Sequence, residues 1–148
     1  MATITYTVTV ATGQNAFGAG TNKFFINGEV SPVLYLQEGN TYIFDTSDSS
    51  NASNQLLFSS TKDGTNTAGG VNYTNGVTVT GTAGTTGALI TIIVAPVRTV
   101  GAPVLFYYSA TTAGMGNTAQ TISPTSETTS FNPQIDEIIE EAYERTGV

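Results

Sequence analysis

Alternating apolar and hydroxyl side chains near the start of the chain constrain its fold more than any other feature. Between Thr3 and Val10, threonine fills each position that separates the apolar residues Ile4, Tyr6, Val8 and Val10. Successive side chains of a β-strand point to opposite faces, so a period of two residues predicts a strand with one buried face and one wet face. The chain therefore begins as a half-buried β-strand.

Further strand-like segments follow at near-regular spacing, separated by turns rich in Gly and Asn. Asn27-Gly28 is a strong hairpin signal, because both residues tolerate the positive φ of a tight turn. About eight short strands with no helical period before Gly116 predict one all-β domain over residues 1–117, an antiparallel sandwich or barrel. After the first strand, the predicted strands are Lys23–Ile26, Val30–Leu36, Thr41–Asp45, Leu56–Phe58, Val77–Val79, Ala88–Val94 and Val104–Tyr108.

The chain changes character after this body. Residues 118–131 are rich in Thr and Ser and predict an extended linker with little tendency to fold. Residues 132–148 predict an amphipathic helix, in which Asn132 caps the start and Pro133 takes the first helical position. A helix this short is marginal in water, so its apolar stripe should dock on its own domain or on a neighbouring molecule. The stripe contains the residues that we expect to bind a partner, Ile135, Ile138, Ile139, Ala142 and Tyr143.

The residue types that the chain lacks exclude several functions. It contains no His and no Cys, so it cannot supply the imidazoles and thiolate of a blue-copper site. We expect no enzyme, because no spacing of carboxylates or of Ser and Lys suggests a catalytic arrangement. The net charge is −7 without a Lys/Arg cluster, which argues against nucleic acid and anionic membranes as partners. A signal-peptide pattern is absent from the first residues, so we expect synthesis in a cytoplasm.

Three blocks of the sequence resemble a known family. They are the run from Asn22 to Asp45, the run Val94 to Thr99, and the triplet Gly114-Met115-Gly116. Together they resemble the cupredoxin-like domain of structural proteins from marine tailed phages, including cyanophages, and this resemblance implies a Greek-key β-sandwich. It also implies a sandwich without metal and without any cofactor, because only one of the four ligand positions keeps a copper-binding residue type. Those degenerate copper positions are Asn54, Ser109, Thr112 and Met115.

The tail from Asn132 to Gly147 is similar to the opening helix of phage head-to-tail adaptor proteins. The two resemblances imply a virion protein, placed in the head decoration or in the neck and head-tail region. Its expected partners are other virion proteins or copies of itself in a symmetric homo-oligomer. Two alternatives remain open: a self-assembling filament or coat protein, and a carbohydrate-binding or adhesin-type module. The second alternative would use exposed tyrosines among Tyr6, Tyr35, Tyr42, Tyr73, Tyr107 and Tyr108.

Overall fold

A computed structural model describes residues 2–95 and 104–122. The predicted helix, residues 132–148, and residues 123–131 of the predicted linker lie outside the described residues. The described chain contains ten β-strands, named β1 to β10 in chain order, and two short 3-10 turns, Ser49–Asn51 and Gly64–Asn66. Within these two ranges, no helix is long and apolar enough to cross a membrane.

The strands form two sheets. The large sheet has six strands in the order β3-β2-β1-β5-β8-β7, and the small sheet has four in the order β4-β10-β9-β6. The strands of the large sheet are β1 (Thr3–Asn15), β2 (Gly18–Ile26), β3 (Glu29–Val30), β5 (Thr41–Asp45), β7 (Val77–Thr80) and β8 (Leu89–Ile93). Those of the small sheet are β4 (Leu34–Gln37), β6 (Leu56–Ser59), β9 (Leu105–Ser109) and β10 (Asn117–Ile122).

Side chains from both sheets share one core. The period-two pattern explains its composition, because alternate apolar side chains of each strand point inward. The large sheet contributes Val8, Phe24, Phe44, Ile90 and Ile92, and the small sheet contributes Leu36, Leu56, Phe58, Leu105 and Tyr107. This packing confirms the prediction of an all-β sandwich.

Two strand pairs differ from the antiparallel arrangement that we predicted. β1 runs parallel to β5, with Tyr6 opposite Phe44, and β10 runs parallel to β4, with Gln120 opposite Tyr35. Both sheets are therefore mixed. Alternation fixes the face that a side chain takes but not the direction of the neighbouring strand, so the sequence pattern could not distinguish these pairs from antiparallel ones.

The predicted strand Val30–Leu36 is divided between the two sheets. β3 ends at Val30, β4 begins at Leu34, and Ser31 between them has a φ of 40°. Pro32 follows Ser31 and has no amide hydrogen to extend the ladder. The chain passes from the large sheet to the small sheet at this point.

The predicted linker begins too early, because residues 117–122 form β10. β10 lies inside the small sheet between β4 and β9, and Ala119 at its centre is fully buried. Backbone hydrogen bonds to neighbouring strands need no apolar side chains, so a Thr- and Gln-containing segment can complete a sheet. The prediction of a linker over residues 118–131 is wrong for residues 118–122.

Several segments meet at one end of the sandwich, which we call the exit end. The N–H of Ala2 donates to Oδ1 of Asn40, and the N–H of Val94 donates to the Asn40 carbonyl. The Ile122 carbonyl accepts from the N–H of Glu38 at the same end. The described chain therefore starts at the exit end, and β8 and β10 both finish there.

Candidate functional site

Three of the four degenerate copper positions lie at the opposite end of the sandwich, which we call the loop end. Asn54 precedes β6, Ser109 ends β9, and Thr112 lies in the loop after β9. β6 and β9 are antiparallel neighbours with Leu56 opposite Ser109, which brings the start of one strand beside the end of the other. β9 begins opposite Ala119, three residues before the exit end at Ile122, so β9 and those three residues together place the loop end roughly 23 Å from the exit end.

Asn54, Ser109 and Thr112 form one hydrogen-bonded group, which we call the polar cluster. Oδ1 of Asn54 accepts from Oγ of Ser109 at 3.1 Å and from Oγ1 of Thr112 at 2.7 Å. Oγ of Ser109 accepts from the N–H groups of Thr111 at 3.3 Å and Thr112 at 3.1 Å. Ser109 and Asn54 are both buried, and their mutual bonds satisfy groups that water cannot reach. The cluster therefore fixes the loop after β9 against the segment before β6.

Met115, the fourth position, is separate from the polar cluster. Its side chain is fully buried and belongs to the apolar core. Its carbonyl oxygen accepts from the N–H of Phe24 at 3.0 Å and from Oγ of Ser31 at 2.9 Å. An unbranched thioether side chain fills irregular space well, so Met115 anchors the end of the loop in the core.

The donor groups of the polar cluster do not fit copper. A type I copper site needs two imidazole nitrogens and a thiolate, whereas Asn54, Ser109 and Thr112 offer one amide and two hydroxyl groups. The amide oxygen already accepts two hydrogen bonds. Elsewhere in residues 2–95 and 104–122, no three His, Cys, Asp or Glu side chains gather at one place. We therefore derive no metal chemistry from this end of the molecule.

A second set of contacts holds the loop at Gly114, and sequence reasoning missed it. The carboxylate of Asp63 accepts from the Gly114 N–H at 3.1 Å. The Gly114 carbonyl accepts from Nζ of Lys23 and from Nδ2 of Asn15, each at 2.9 Å. Lys23 is 1% exposed, so its ammonium group depends on the protein for solvation. The single signal in the sequence was a lysine directly before the apolar run Phe24-Phe25-Ile26.

The loop that leads to Asn54 is tied to β1. Oγ of Ser50 accepts from the Val10 N–H at 2.9 Å and donates to the carboxylate of Asp48. Asn51 is fully buried, and its Nδ2 donates to the Val8 carbonyl at 2.8 Å. Hydrogen bonds from the hydroxyl and the N–H of Ser50 hold the pKa of Asp48 below its ordinary value. These hydrogen bonds therefore fix the segment before Asn54, and with it one side of the polar cluster, to β1.

A small cleft opens beside the polar cluster. Its volume is about 190 Å³, below the roughly 300–1,000 Å³ that is usual for small-molecule sites. None of its lining residues is charged, so the cleft suits a small uncharged group rather than an ion. The lining residues are Ser53, Asn54, Gln55, Thr82, Ala83 and Thr111.

The six tyrosines considered for sugar stacking do not form an exposed platform. Tyr42, Tyr107 and Tyr108 are buried, and Tyr73 is half-buried against the core. Tyr6 is also half-buried and stacks on Tyr42, with ring centroids 6.1 Å apart. Of the six, Tyr35 alone is exposed, at 59%. Tyr42 and Tyr107 therefore belong to the core, whereas Tyr108, the next residue on β9, is buried against the turn at Gly64.

Tyr35 belongs to a group of exposed apolar residues at the small sheet, which we call the apolar patch. Val33, Tyr35 and Val104 expose 43%, 59% and 49% of their surfaces. Tyr35 on β4 lies opposite Gln120 of β10, and Val104 directly precedes β9 on the other side of β10. Neighbouring exposed apolar side chains are a feature of interaction surfaces, whereas isolated ones are common on any protein.

Comparisons with known proteins leave the resemblance to phage cupredoxin-like domains a prediction. No family model, no curated protein and no solved structure matches the chain. The predicted partner-binding residues also remain untested, because they lie outside the described residues. These are Ile135, Ile138, Ile139, Ala142 and Tyr143.

Proposed function

We infer that this chain is a structural component of a tailed-phage virion, in the head decoration or in the neck and head-tail region. Its body is a metal-free, cupredoxin-like Greek-key sandwich that is displayed on the particle. Its C-terminal helix anchors this body to neighbouring virion proteins or to copies of itself. The sequence resemblance suggests this role, and the difference between the two ends of the sandwich supports it.

The observation that carries the proposal is the placement of the two ends of the sandwich. Ile122 finishes β10 at the exit end, so the tail of the chain starts from that end. The loop end lies roughly 23 Å away and is held by the polar cluster and by the contacts at Gly114. This arrangement suits a displayed domain, because the attachment is at one end and a surface held by hydrogen bonds is at the other.

The apolar patch supplies a surface on which the tail of a neighbouring copy can dock. In the helix-in-groove mode, an amphipathic helix places one apolar stripe against exposed apolar side chains. The stripe at Ile135, Ile138 and Tyr143 matches Val33, Tyr35 and Val104 in chemistry. Residues 123–131 span up to about 30 Å when extended, which is enough to reach an adjacent subunit.

The carbohydrate-binding alternative has less support. Stacking on sugars requires exposed aromatic rings, and Tyr35 is the one exposed ring among the six considered. The cleft beside the polar cluster is smaller than ordinary ligand sites. A filament or coat protein would use the same tail contact between copies, so one experiment addresses both assembly roles.

The test compares the full chain with a version that ends at Ser130 and therefore keeps β10. A third protein, the full chain with Ile138→Ser and Ile139→Ser, retains the complete length but loses the apolar stripe. We expect the full chain to cosediment with marine tailed-phage particles and to self-associate in sedimentation velocity. Both altered proteins should stay in the supernatant, form no ring or filament through the tail, and keep an unchanged thermal unfolding.

Glu140→Gln is the matched control, because it changes the polar side of the same predicted helix and should leave binding unchanged. The anchoring role is wrong if the chain ending at Ser130 binds and assembles like the full chain. The display role is wrong if the full chain neither binds particles nor self-associates.

A further inference from the structure

β7 is the last strand of the large sheet, and no strand in residues 2–95 or 104–122 pairs with its outer edge. The Ile93 N–H donates to the Gly76 carbonyl, which fixes the alternation of the β7–β8 ladder. In an antiparallel pair, residues alternate between those that bond the neighbouring strand and those that face away from it. Thr78 and Thr80 therefore bond β8, whereas Val79 directs its N–H and its carbonyl to the free side. Within the described ranges, no group bonds these two atoms of Val79.

Among the described residues, β7 has none of the features that usually protect an edge strand. Edge strands are commonly guarded by lysine, proline, a bulge or a covering segment. The sequence of β7 is Val-Thr-Val-Thr, four β-branched residues that favour strand pairing. The edge strand β6 is covered in part, since the Tyr73 N–H donates to the Phe58 carbonyl and Asn72 bridges Ser59.

The charge distribution favours a second copy of this chain at the β7 edge. Copies with a net charge of −7 repel each other on average. Residues 64–97 contain no Asp, Glu, Lys or Arg, and this segment includes all of β7 and β8. Asp45, on the same sheet, lies on β5, two strands away from β7. Two copies can therefore approach through this edge without bringing like charges together.

We propose that β7 pairs antiparallel with β7 of a second copy, centred on Val79. When a residue lies at the two-fold axis, its N–H donates to the carbonyl of the same residue in the other copy and its carbonyl accepts from that residue's N–H. Val79 suits this position because its N–H and its carbonyl both point away from β8. Val77 also directs its carbonyl to the free side, while its N–H already donates to the Thr74 carbonyl. In the dimer, the Val77 carbonyl accepts from the N–H of Gly81 of the other copy. The dimer gains four backbone hydrogen bonds and a continuous sheet.

Val79→Pro and Val79→Ala, each in the full chain that carries Ile138→Ser and Ile139→Ser, form a matched pair for testing this contact. Proline removes the N–H and is tolerated where that group faces solvent on an edge strand, whereas alanine keeps both backbone groups and shortens the same side chain. Sedimentation equilibrium should show that the mass of the full chain carrying Ile138→Ser and Ile139→Ser, which lacks the tail contact, approaches twice the monomer value as concentration rises. Val79→Ala should dimerise similarly. Val79→Pro should raise the dissociation constant by roughly thirtyfold, because two hydrogen bonds are lost per dimer.

A second pair of variants covers the case in which Val79→Pro fails to fold. Thr78→Lys places a positive charge beside the proposed contact. Thr5→Lys is its control, because Thr5 on β1 lies in the same row of paired residues across the sheet but three strands away from β7. Thr78→Lys should weaken dimerisation, and Thr5→Lys should leave it intact. Thermal unfolding confirms that each variant is folded.

Amide hydrogen exchange separates this contact from association through the tail. Protection of the Val79 N–H should rise with protein concentration, while the Thr78 N–H, which bonds β8 within one copy, should be protected at every concentration. The proposal is wrong if Val79→Pro dimerises as well as Val79→Ala, or if the chain stays monomeric. It is also wrong if Val79 is protected in dilute monomer, since another segment of the same chain would then cover the edge.

Discussion

Replacing Ser109 with alanine tests whether the polar cluster holds the loop end. The Ser109 hydroxyl makes three hydrogen bonds, one to Oδ1 of Asn54 and two from the N–H groups of Thr111 and Thr112. Alanine removes all three without adding volume. The bond from Oγ1 of Thr112 to Asn54, at 2.7 Å, is left in place, so the cluster is weakened but not dissolved.

The magnitude follows from the geometry of these bonds. Their lengths of 3.1, 3.3 and 3.1 Å are longer than the usual optimum, so each should contribute somewhat less than about 1 kcal/mol. Thr111 is exposed, and its N–H can bond water after the change. We therefore expect Ser109→Ala to lower the free energy of unfolding by about 2 kcal/mol. For a domain of this size that loss corresponds to a fall in Tm of about 8 °C.

Urea unfolding followed by circular dichroism measures this change, and the m-value should stay constant because the same surface is exposed on unfolding. Ser60→Ala is the control, since Ser60 is exposed and its substitution should change stability by less than about 0.5 kcal/mol. Equal stability of Ser109→Ala and Ser60→Ala would show that the Ser109 hydroxyl carries no stabilising bonds.

A double-mutant cycle isolates the contact between Ser109 and Asn54. Asn54→Ala removes the acceptor that Ser109 and Thr112 share. The double variant should be more stable than the sum of the two single losses predicts, by about 1 kcal/mol, because the shared bond is lost only once. Strict additivity would refute a direct bond between these side chains.

Close backbone contacts, a buried phenol and the lost copper positions each predict a measurable outcome. Gly116→Ala should lower the free energy of unfolding by about 3 kcal/mol or more in the same urea assay, because the new Cβ would lie 1.8 Å from the Tyr107 carbonyl oxygen. Gly20→Ala is the control: Gly20 has a φ of 84° but open space around it, so the loss should be only about 1 kcal/mol. Burial raises the pKa of Tyr107 above its ordinary range, so the free energy of unfolding should fall as pH rises past about 10, where the phenol of the unfolded chain ionises first. Tyr107→Phe should make the Tm less dependent on pH in this range, and the loss of its hydrogen bond to the Pro32 carbonyl should cost about 1 kcal/mol at pH 7. If the loop end has cupredoxin geometry, the triple variant Asn54→His, Ser109→Cys and Thr112→His should bind Cu(II) with a blue thiolate-to-copper absorption, and colourless, weak binding would count against the resemblance.

Alternation in the sequence predicted the interior of the sandwich because burial and period have the same cause. Val8 is buried, and Ile4 and Tyr6 pack partly buried against the core, as the period of two residues in the first strand predicts. The Asn27-Gly28 turn also formed as predicted, with φ values of 51° and 86°. Strand direction and the crossing at Ser31 depended on contacts between distant segments, which no local pattern contains.

The missed parts of the structure share a physical reason. β10 is held by its neighbours' backbones, so its side chains, apart from the small Ala119, gave little apolar signal. The contacts at Gly114 join residues far apart in sequence, such as Lys23 and Asp63, and sequence composition shows neither partner. The resemblance indicated the three positions of the polar cluster but not their hydrogen bonds. Those bonds depend on the pairing of β6 with β9, which joins segments about fifty residues apart.

The two proposed contacts differ in symmetry, and this difference determines what the chain can build. Pairing of β7 with β7 of a second copy is isologous, so it joins two copies and is then complete. Docking of a tail on the apolar patch of the next copy is heterologous, so it continues until a ring closes or a filament grows. β7 is an edge of the large sheet and Tyr35 lies on the small sheet, so one contact leaves the other accessible. A chain that makes both should form paired rings or double filaments, and Val79→Pro should leave single ones in electron micrographs. Paired assemblies that persist in Val79→Pro would show that the two-fold contact lies elsewhere.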